Sequence, residues 1–228
     1  MPHVKKNDTP ASTVPNPDIR INIIYVIDKL PLEMDTVKYT NAAGNNYSVS
    51  RLEYYLSGFS FMDASGKWWD AGNEFYVNAK TSNTNSFSLR GLPLNNYSRV
   101  KFFIGISTDK NKTNALAPTP ENINMVWPDM MGGGYHFLKL EGYFKDTAAK
   151  KQGFAMHLGN SKNLVTVETP IAYNHNGNDT LNLQMNINEW FATPNTYNFN
   201  IQGNYTMGVD SLMTKLKQNG ADVFKIVP

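Results

Sequence analysis

The sequence predicts an all-β fold, a mostly antiparallel β-sandwich with Greek-key or immunoglobulin-like connections, long loops and one short C-terminal helix. Two observations support this prediction. Many short stretches alternate apolar with polar side chains, and turns rich in Gly, Pro and Asn separate them at even spacing. The length of 228 residues suits one such domain. We expect a flexible, polar and proline-bearing N-terminal tether over residues 1–18 and a single domain over 19–228.

Alternation of apolar and polar residues, with many β-branched and aromatic side chains, locates the strands. The predicted strands cover residues 19–26, 48–61, 75–77, 86–89, 98–106, 135–141, 153–159, 164–167 and 180–187. Turn-forming residues separate them, for example the run 63–66 after the second strand. Near the end, Leu212, Met213 and Leu216 share one face of a segment that ends in Asn-Gly, which predicts a helix over 210–220.

The composition excludes several classes of function. Charged residues make up 18% and the net charge is +2, which argues against a nucleic-acid partner. Because cysteine is absent, disulfides, thiol nucleophiles and cysteine-held metals are excluded. No apolar run reaches the roughly 20 residues of a transmembrane helix, and no nucleophile elbow, phosphate loop or dinucleotide motif is present. We therefore expect a binding protein with no transmembrane segment, and not an enzyme.

The most unusual stretch covers residues 125–142 and contains a triple glycine, which is useful only where the chain turns sharply or another group comes close. Without cysteine, a soft ion such as Cu(I) would need thioether and imidazole ligands, whereas a carboxylate suits a harder ion. The candidate metal-site residues are His157, His136, Trp127, Met125, Met130, Met131 and Asp129. The histidines could instead be hydrogen-bonded strand residues, and the methionines could fill gaps in the core.

Two further groups of residues could bind a ligand. Asp109, Asn111 and Asn114 place oxygen-bearing side chains in one loop, as calcium loops do, although the glycine and the glutamate of an EF-hand are missing. A turn-forming role is the preferred interpretation, with calcium as the alternative. Trp68 and Trp69 could offer an aromatic platform for sugars, but adjacent strand residues face opposite ways, so one of them is expected in the core.

An ordered series of motifs carries a resemblance to a known family. The motifs are YTNAAG at 39–44, VSRLEYYLS at 49–57, FFIGI at 102–106, MVW at 125–127, GYHFLKLEG at 134–142, FAMHLG at 154–159 and NGADVF at 219–224. In this order they resemble the MbnP-like family of copper-binding MbnP/MopE-type β-sandwich proteins, from about residue 19 to the end. No single motif is as specific as the series.

The resemblance implies a bacterial protein exported to the periplasm, the outer membrane or the cell surface, often as a lipoprotein, with its targeting segment absent from this chain. Characterised relatives bind copper, and in some a partner di-haem enzyme oxidises a tryptophan to kynurenine. Trp127 falls where that tryptophan would be, and His157 matches the histidine before the family's Leu-Gly. This chain departs from the pattern after Trp127: copper-binding relatives have a second histidine close by, whereas here the nearest one is His136.

These observations predict an exported, copper-handling protein. His157 would be the first ligand at the Trp127 loop, and His136, Met130 or Met131 would complete the set. The alternative is a metal-free cell-surface recognition or structural module, in which the glycine loop and the Trp68-Trp69 pair contact a protein or a glycan.

Overall fold

The structure is a computed structural model, and it describes residues 17–177 and 179–228. Two sheets pack face to face as a β-sandwich, which confirms the predicted fold class. Most of the predicted tether, residues 1–18, lies outside the described residues.

Thirteen strands are present in the described part of the chain. They are β1 (Ile19–Ile27), β2 (Leu30–Pro31), β3 (Tyr39–Thr40), β4 (Asn46–Asp63), β5 (Trp68–Ala71), β6 (Phe75–Asn78), β7 (Ser86–Leu89), β8 (Asn95–Ile104), β9 (His136–Lys145), β10 (Lys151–Gly159), β11 (Val165–His175), β12 (Asp179–Asn186) and β13 (Phe224–Val227). The helices are α1 (Pro120–Asn124), α2 (Phe199–Gln202) and α3 (Asp210–Asn219), with short 3₁₀ turns between some elements.

The smaller sheet has the order β13-β12-β1-β2, with β7 also paired to β1. Its β1–β12 pair is parallel, and the other described strand pairs of the molecule are antiparallel. The larger sheet has the order β10-β9-β4-β8-β11, and β3, β5 and β6 also pair with the long β4. Both sheets therefore combine strands that are far apart in the sequence.

The core lies between the two sheets and is rich in aromatic side chains. Phe102 of the larger sheet stacks on Phe59, with ring centroids 4.9 Å apart, and meets Phe224 of the smaller sheet edge to face at 5.4 Å. The hydroxyl groups of Tyr25 and Tyr54 are hydrogen-bonded across the sheets at 3.0 Å. Edge-to-face and offset contacts of this kind favour one defined packing of the two layers.

The register of β9 and β10 decides which side chains share the outer face of the larger sheet. Met156 pairs with Leu140, and both are fully buried in the core. His157 pairs with Lys139 in the adjacent register position. Because successive strand residues point to opposite faces, His157 and Lys139 lie on the outer face, together with Glu141.

The structure differs from the sequence-based expectation at several elements, and strands β2, β3, β5 and β13 were not predicted. The predicted C-terminal helix is present as α3, and it ends at Asn219, one residue before the predicted end. Two further helices, α1 and α2, were not predicted because each is about one turn long and has no apolar periodicity. Strand β11 extends well beyond the predicted 164–167, since Pro170 lies at a register shift, where a strand tolerates proline.

Candidate metal site

A short antiparallel bridge brings Trp127 and His136 together. Helix α1 ends just before Met125, and Val126 then pairs with Tyr135. The backbone N–H of Trp127 donates to Gly134 O at 2.9 Å, and that of His136 donates to Met125 O at 2.6 Å. The two rings meet edge to face, with centroids 4.7 Å apart. The nine positions that separate them in the sequence therefore form a closed loop.

The triple glycine lets neighbouring polar side chains reach the loop backbone. Gly132–Gly134 have φ angles of 104°, 64° and 85° in order, which side-chain-bearing residues rarely adopt. A Cβ at these positions would lie 2.7 Å from Asn160 Nδ2, 2.5 Å from Thr113 Oγ1 and 2.4 Å from Asn111 Oδ1, respectively. Thr113 also donates to Asp129 Oδ1 at 2.7 Å. Asp129 is therefore engaged in holding the loop.

His157 joins the same cluster from β10. Its ring centroid lies 5.2 Å from that of His136, with the two planes at 85°. The backbone of His157 is fixed by Thr206, whose Oγ1 accepts from His157 N and donates to His157 O, both at 2.7 Å. Trp127 packs onto Gly159, where a Cβ would lie only 2.2 Å from the indole Cε3. Trp127, His136 and His157 therefore converge from separate segments.

The hydrogen bonds of His136 define its tautomer. Nδ1 lies 3.2 Å from Met125 O and 3.1 Å from Val126 O, and carbonyl oxygens can only accept. Nδ1 therefore carries the proton, and Nε2 carries the lone pair in the neutral ring. Burial, with the positive charge of Lys139 and the proximity of His157, lowers the pKa of His136 to about 3. His136 is consequently neutral near pH 7.

In His157 the roles of the two ring nitrogens are reversed. Its Nε2 lies 2.8 Å from Glu141 Oε1, so Nε2–H donates to the carboxylate. Its Nδ1 is buried and has no hydrogen-bond partner, although it carries the lone pair in the neutral ring. The hydrogen bond from His157, together with the positive charge of Arg51, lowers the pKa of Glu141. The two histidines thus each have one nitrogen anchored and one available as a ligand.

Four charged groups surround the histidines on the outer face. Arg51 contacts Glu141 at 3.3 Å and Glu53 at 3.0 Å. Asn124, the last residue of α1, donates to Glu53 at 2.9 Å, and its carbonyl oxygen accepts from the ammonium group of Lys139. The formal charges of these two cations and two anions cancel. The network also links the strand that carries His157 to the segment that leads into Trp127.

The three methionines of the loop have different environments. Met125 is fully buried in the core, and the side chain of Met130 is 93% exposed. Met131 is half-buried, and its carbonyl oxygen accepts from the indole Nε1 of Trp127 at 3.1 Å. Of the three methionines, Met131 is therefore the one that is neither fully buried nor almost fully exposed.

The loop that contains Asp109, Asn111 and Asn114 has a structural role in the described chain. Asn111 Oδ1 accepts from the backbone N–H of Tyr135 at 3.0 Å, and its Nδ2 donates to Ser161 at 3.2 Å. Asn114 adopts a positive φ of 63°, as turn residues do. The pKa of Asp109 is lowered, chiefly by a side-chain hydrogen bond from Ser107. Calcium binding here stays a prediction, but Asn111 already supports the glycine loop.

The two adjacent tryptophans of β5 are both half-buried. The ammonium group of Lys101 lies 4.5 Å from the ring centroid of Trp68, and that of Lys67 lies 3.4 Å from that of Trp69. Trp69 packs against the core, and its Nε1 donates to Asp63 at 2.8 Å. Lysine side chains therefore already contact the rings that would form a sugar platform.

Glu141, Arg51 and Thr206 complete the site but were not recognised from the sequence. Alternation does place Lys139 and Glu141 on one face of β9. Which strand lies beside that face is decided by long-range pairing, which a single sequence does not reveal.

In the part of the chain that covers residues 17–177 and 179–228, no group of three or more His, Cys, Asp or Glu side chains is arranged to hold a metal ion. None of its helices is long and apolar enough to cross a membrane. A metal site at Trp127 would accordingly depend on two imidazoles.

Comparisons with known proteins agree on the fold. The model of the MbnP family matches residues 16–219. Among solved structures, MbnP from Methylosinus trichosporium superimposes with a TM-score of 0.56 at 15% identity, over 76% of this chain and 77% of that one. The comparison with curated proteins finds no match.

Proposed function

The chain belongs to the MbnP family, and on that premise we propose that it binds copper as Cu(I) between His136 and His157, beside Trp127. The observation that carries this proposal is the buried Nδ1 of His157, which has no hydrogen-bond partner. A buried polar atom without a partner is costly, and a metal ion is one way to satisfy it. Imidazole nitrogen is a good ligand for copper.

The spacing of the two rings fits a shared ion. Metal–nitrogen bonds are roughly 2 Å long, so the centroids of two imidazoles on one ion are at most about 6 Å apart. The observed separation of 5.2 Å lies within this limit. The ligand atoms would be Nε2 of His136 and Nδ1 of His157, because the other nitrogen of each ring is already hydrogen-bonded.

The choice of Cu(I) follows from the small number of ligands and the local charge. A structural zinc ion takes four protein ligands, and a catalytic one takes three. Two neutral imidazoles, with Met131 as the candidate third donor, suit a soft monovalent ion better. The charges of Arg51, Lys139, Glu53 and Glu141 cancel, so they add no net attraction for a divalent cation. Trp127 covers one side and would limit the access of water.

We further propose that the protein acts outside the cytoplasm, in line with the exported location that the family resemblance implies, and that it binds and carries copper instead of catalysing a reaction. A di-haem partner that oxidises Trp127 belongs to the same hypothesis. Trp127 is only 1% exposed, so direct contact between a partner and the indole would require the loop to open. The intact mass of protein from the native host tests for oxidation at Trp127.

Cu(I) titration against a competing chromophoric chelator tests the proposed site. In His157→Gln, the amide nitrogen takes the place of Nε2 and can still donate to Glu141, but the Nδ1 lone pair is lost. In His136→Asn, the amide nitrogen takes the place of Nδ1 and can still donate to the two carbonyl groups. We expect the wild type to bind one equivalent, and each variant to lose at least about 100-fold in affinity.

The control variant is His3→Ala, which removes a histidine that precedes the described residues. It should bind Cu(I) as the wild type does, and circular dichroism should confirm that all variants are folded. Unchanged affinity in both site variants would refute the site. If the wild type bound no Cu(I) above background, the metal-free recognition module would be favoured instead.

A further inference from the structure

The carboxylate of Glu141 occupies a position that the proposed copper site alone does not explain. A single oxygen, Oε1, accepts from His157 Nε2 at 2.8 Å and from Arg51 at 3.3 Å. Glu141 is not placed as a metal ligand, because His157 Nε2, on the far side of the ring from Nδ1, is the atom it binds. Its contacts act on the orientation and the tautomer of the imidazole.

We infer that Glu141 is a positioning residue, which holds His157 as the Nε2–H tautomer and so keeps the lone pair on Nδ1, while Arg51 fixes the carboxylate. This inference rests on the proposed function and deepens it. Without an acceptor at Nε2, a neutral imidazole could carry its proton on Nδ1, which would block that atom as a ligand. Metal-binding histidines commonly donate their second N–H to a carboxylate for this reason.

The position of Arg51 is itself fixed from two sides. Its guanidinium group contacts Glu53 at 3.0 Å and Asn124 Oδ1 at 3.1 Å, in addition to Glu141. Asn124 directly precedes the 125–127 segment, which carries Trp127. The same chain of contacts therefore sets the His157 ring relative to the segment that holds His136, and a planar donor such as Arg suits this bridging role.

The tautomer of His157 can be measured in the metal-free protein. Long-range ¹H–¹⁵N correlation spectra of the full chain at pH 8 distinguish a protonated from an unprotonated ring nitrogen. For the wild type we expect Nε2 protonated and Nδ1 unprotonated. Glu141→Ala should bring in the Nδ1–H form, whereas Glu141→Gln should keep the wild-type pattern, since its amide oxygen can still accept.

Cu(I) affinity provides the second measurement. Glu141→Ala should bind about 10–100-fold more weakly than the wild type, the usual cost of losing the partner of a ligand histidine. Glu141→Gln should retain most of the affinity. Glu168→Ala is the matched control, because it removes the partner of Arg99 in another ion pair of the same sheet. It should change neither the tautomer nor the affinity, and melting curves should confirm folding.

The outcomes separate this inference from the proposed function. A wild-type His157 protonated on Nδ1, or a tautomer unaffected by Glu141→Ala, would overturn the inference while Cu(I) binding stood. Equal Cu(I) affinity in the wild type and Glu141→Ala would do the same. A wild type that binds no Cu(I), yet has the expected tautomer, would overturn the proposed function and with it the role of Glu141 in metal binding.

Discussion

Two tryptophan-bearing regions, one in the larger sheet and one packed against it, differ in what they leave available to a ligand. At Trp68 and Trp69, lysine side chains contact the rings, and the indole N–H of Trp69 is bonded to Asp63. At Trp127, His136 lies beside the indole and His157 lies beside His136, and His157 keeps a buried nitrogen without a partner. Judged by residue type alone, the two regions would have been equally good candidates for a ligand site.

The difference between the two regions teaches where a binding site should be sought. A region whose polar atoms are all satisfied by the chain itself contributes to stability. A region in which the fold anchors one side of each histidine, and leaves the other side unsatisfied, has given up stability that a ligand can restore. This criterion favours the Trp127 region over the Trp68-Trp69 region as the candidate site.

The largest effect on stability is expected from adding a side chain at Gly159, against which the Trp127 ring packs. In Gly159→Ala, the new Cβ would lie 2.2 Å from the indole Cε3, so the ring would have to shift. We expect the free energy of unfolding to fall by about 3 kcal/mol, the upper end for overpacked cores. Cu(I) affinity should fall as well, since Trp127 contacts His136. Urea denaturation and Cu(I) titration measure the two effects.

Gly153→Ala is the control in the same strand. Its Cβ would find no atom closer than 3.9 Å, so the substitution should be neutral or stabilise the protein by up to about 1 kcal/mol. If both alanine variants unfolded at the same urea concentration, the close packing of Trp127 on Gly159 would not be the constraint that the structure indicates.

The next effect concerns the neutral state of His136. Its pKa is about 3 in the folded protein, below the ordinary histidine value of 6.5. The unfolded chain therefore binds a proton below about pH 6.5 that the folded chain does not bind until about pH 3, and stability falls as the pH decreases through this range. Between pH 7 and pH 5 the loss should be about 2 kcal/mol.

Denaturation of the wild type and His136→Asn at several pH values isolates this contribution. Asparagine keeps a donor for the carbonyl groups of Met125 and Val126 but does not titrate. The difference in stability between the two proteins should therefore shift by about 2 kcal/mol in favour of the variant as the pH falls from 7 to 5. Parallel pH profiles for the two proteins would contradict the assignment of His136 as a buried neutral histidine.

Much of the fold was predictable, and the site was predictable only in part. Alternation located most strands, because a half-buried strand imposes a period of two on the sequence. The candidate ligands included His136 and His157, but their meeting depends on the β9–β10 register and on the bridge at Val126, both long-range features. Asn111 was placed in a turn-forming loop, with calcium binding as the alternative, because an amide side chain can bind a cation or a backbone N–H equally well.

The smallest effect on stability is expected at Asp63, in the Trp68-Trp69 region. Its Oδ1 accepts from Ser65, and its Oδ2 accepts from Trp69 Nε1 at 2.8 Å. These hydrogen bonds lower the pKa of Asp63 from 3.8 to about 2. A depressed carboxyl pKa stabilises the folded state above the unfolded pKa, and this contribution is lost as the pH falls from about 3.8 towards 2.

Asp63→Asn keeps an acceptor for the turn but replaces one oxygen by a donor, which cannot accept from Trp69. Thermal unfolding should therefore give a slightly lower Tm for the variant at pH 7, and the gap should narrow as the pH approaches 2. Cu(I) affinity should be unchanged, because Asp63 bonds to Trp69 in the region that is contrasted with the proposed site. A loss of copper binding in this variant would contradict the separation of framework from site, since the two tryptophan regions would then be coupled.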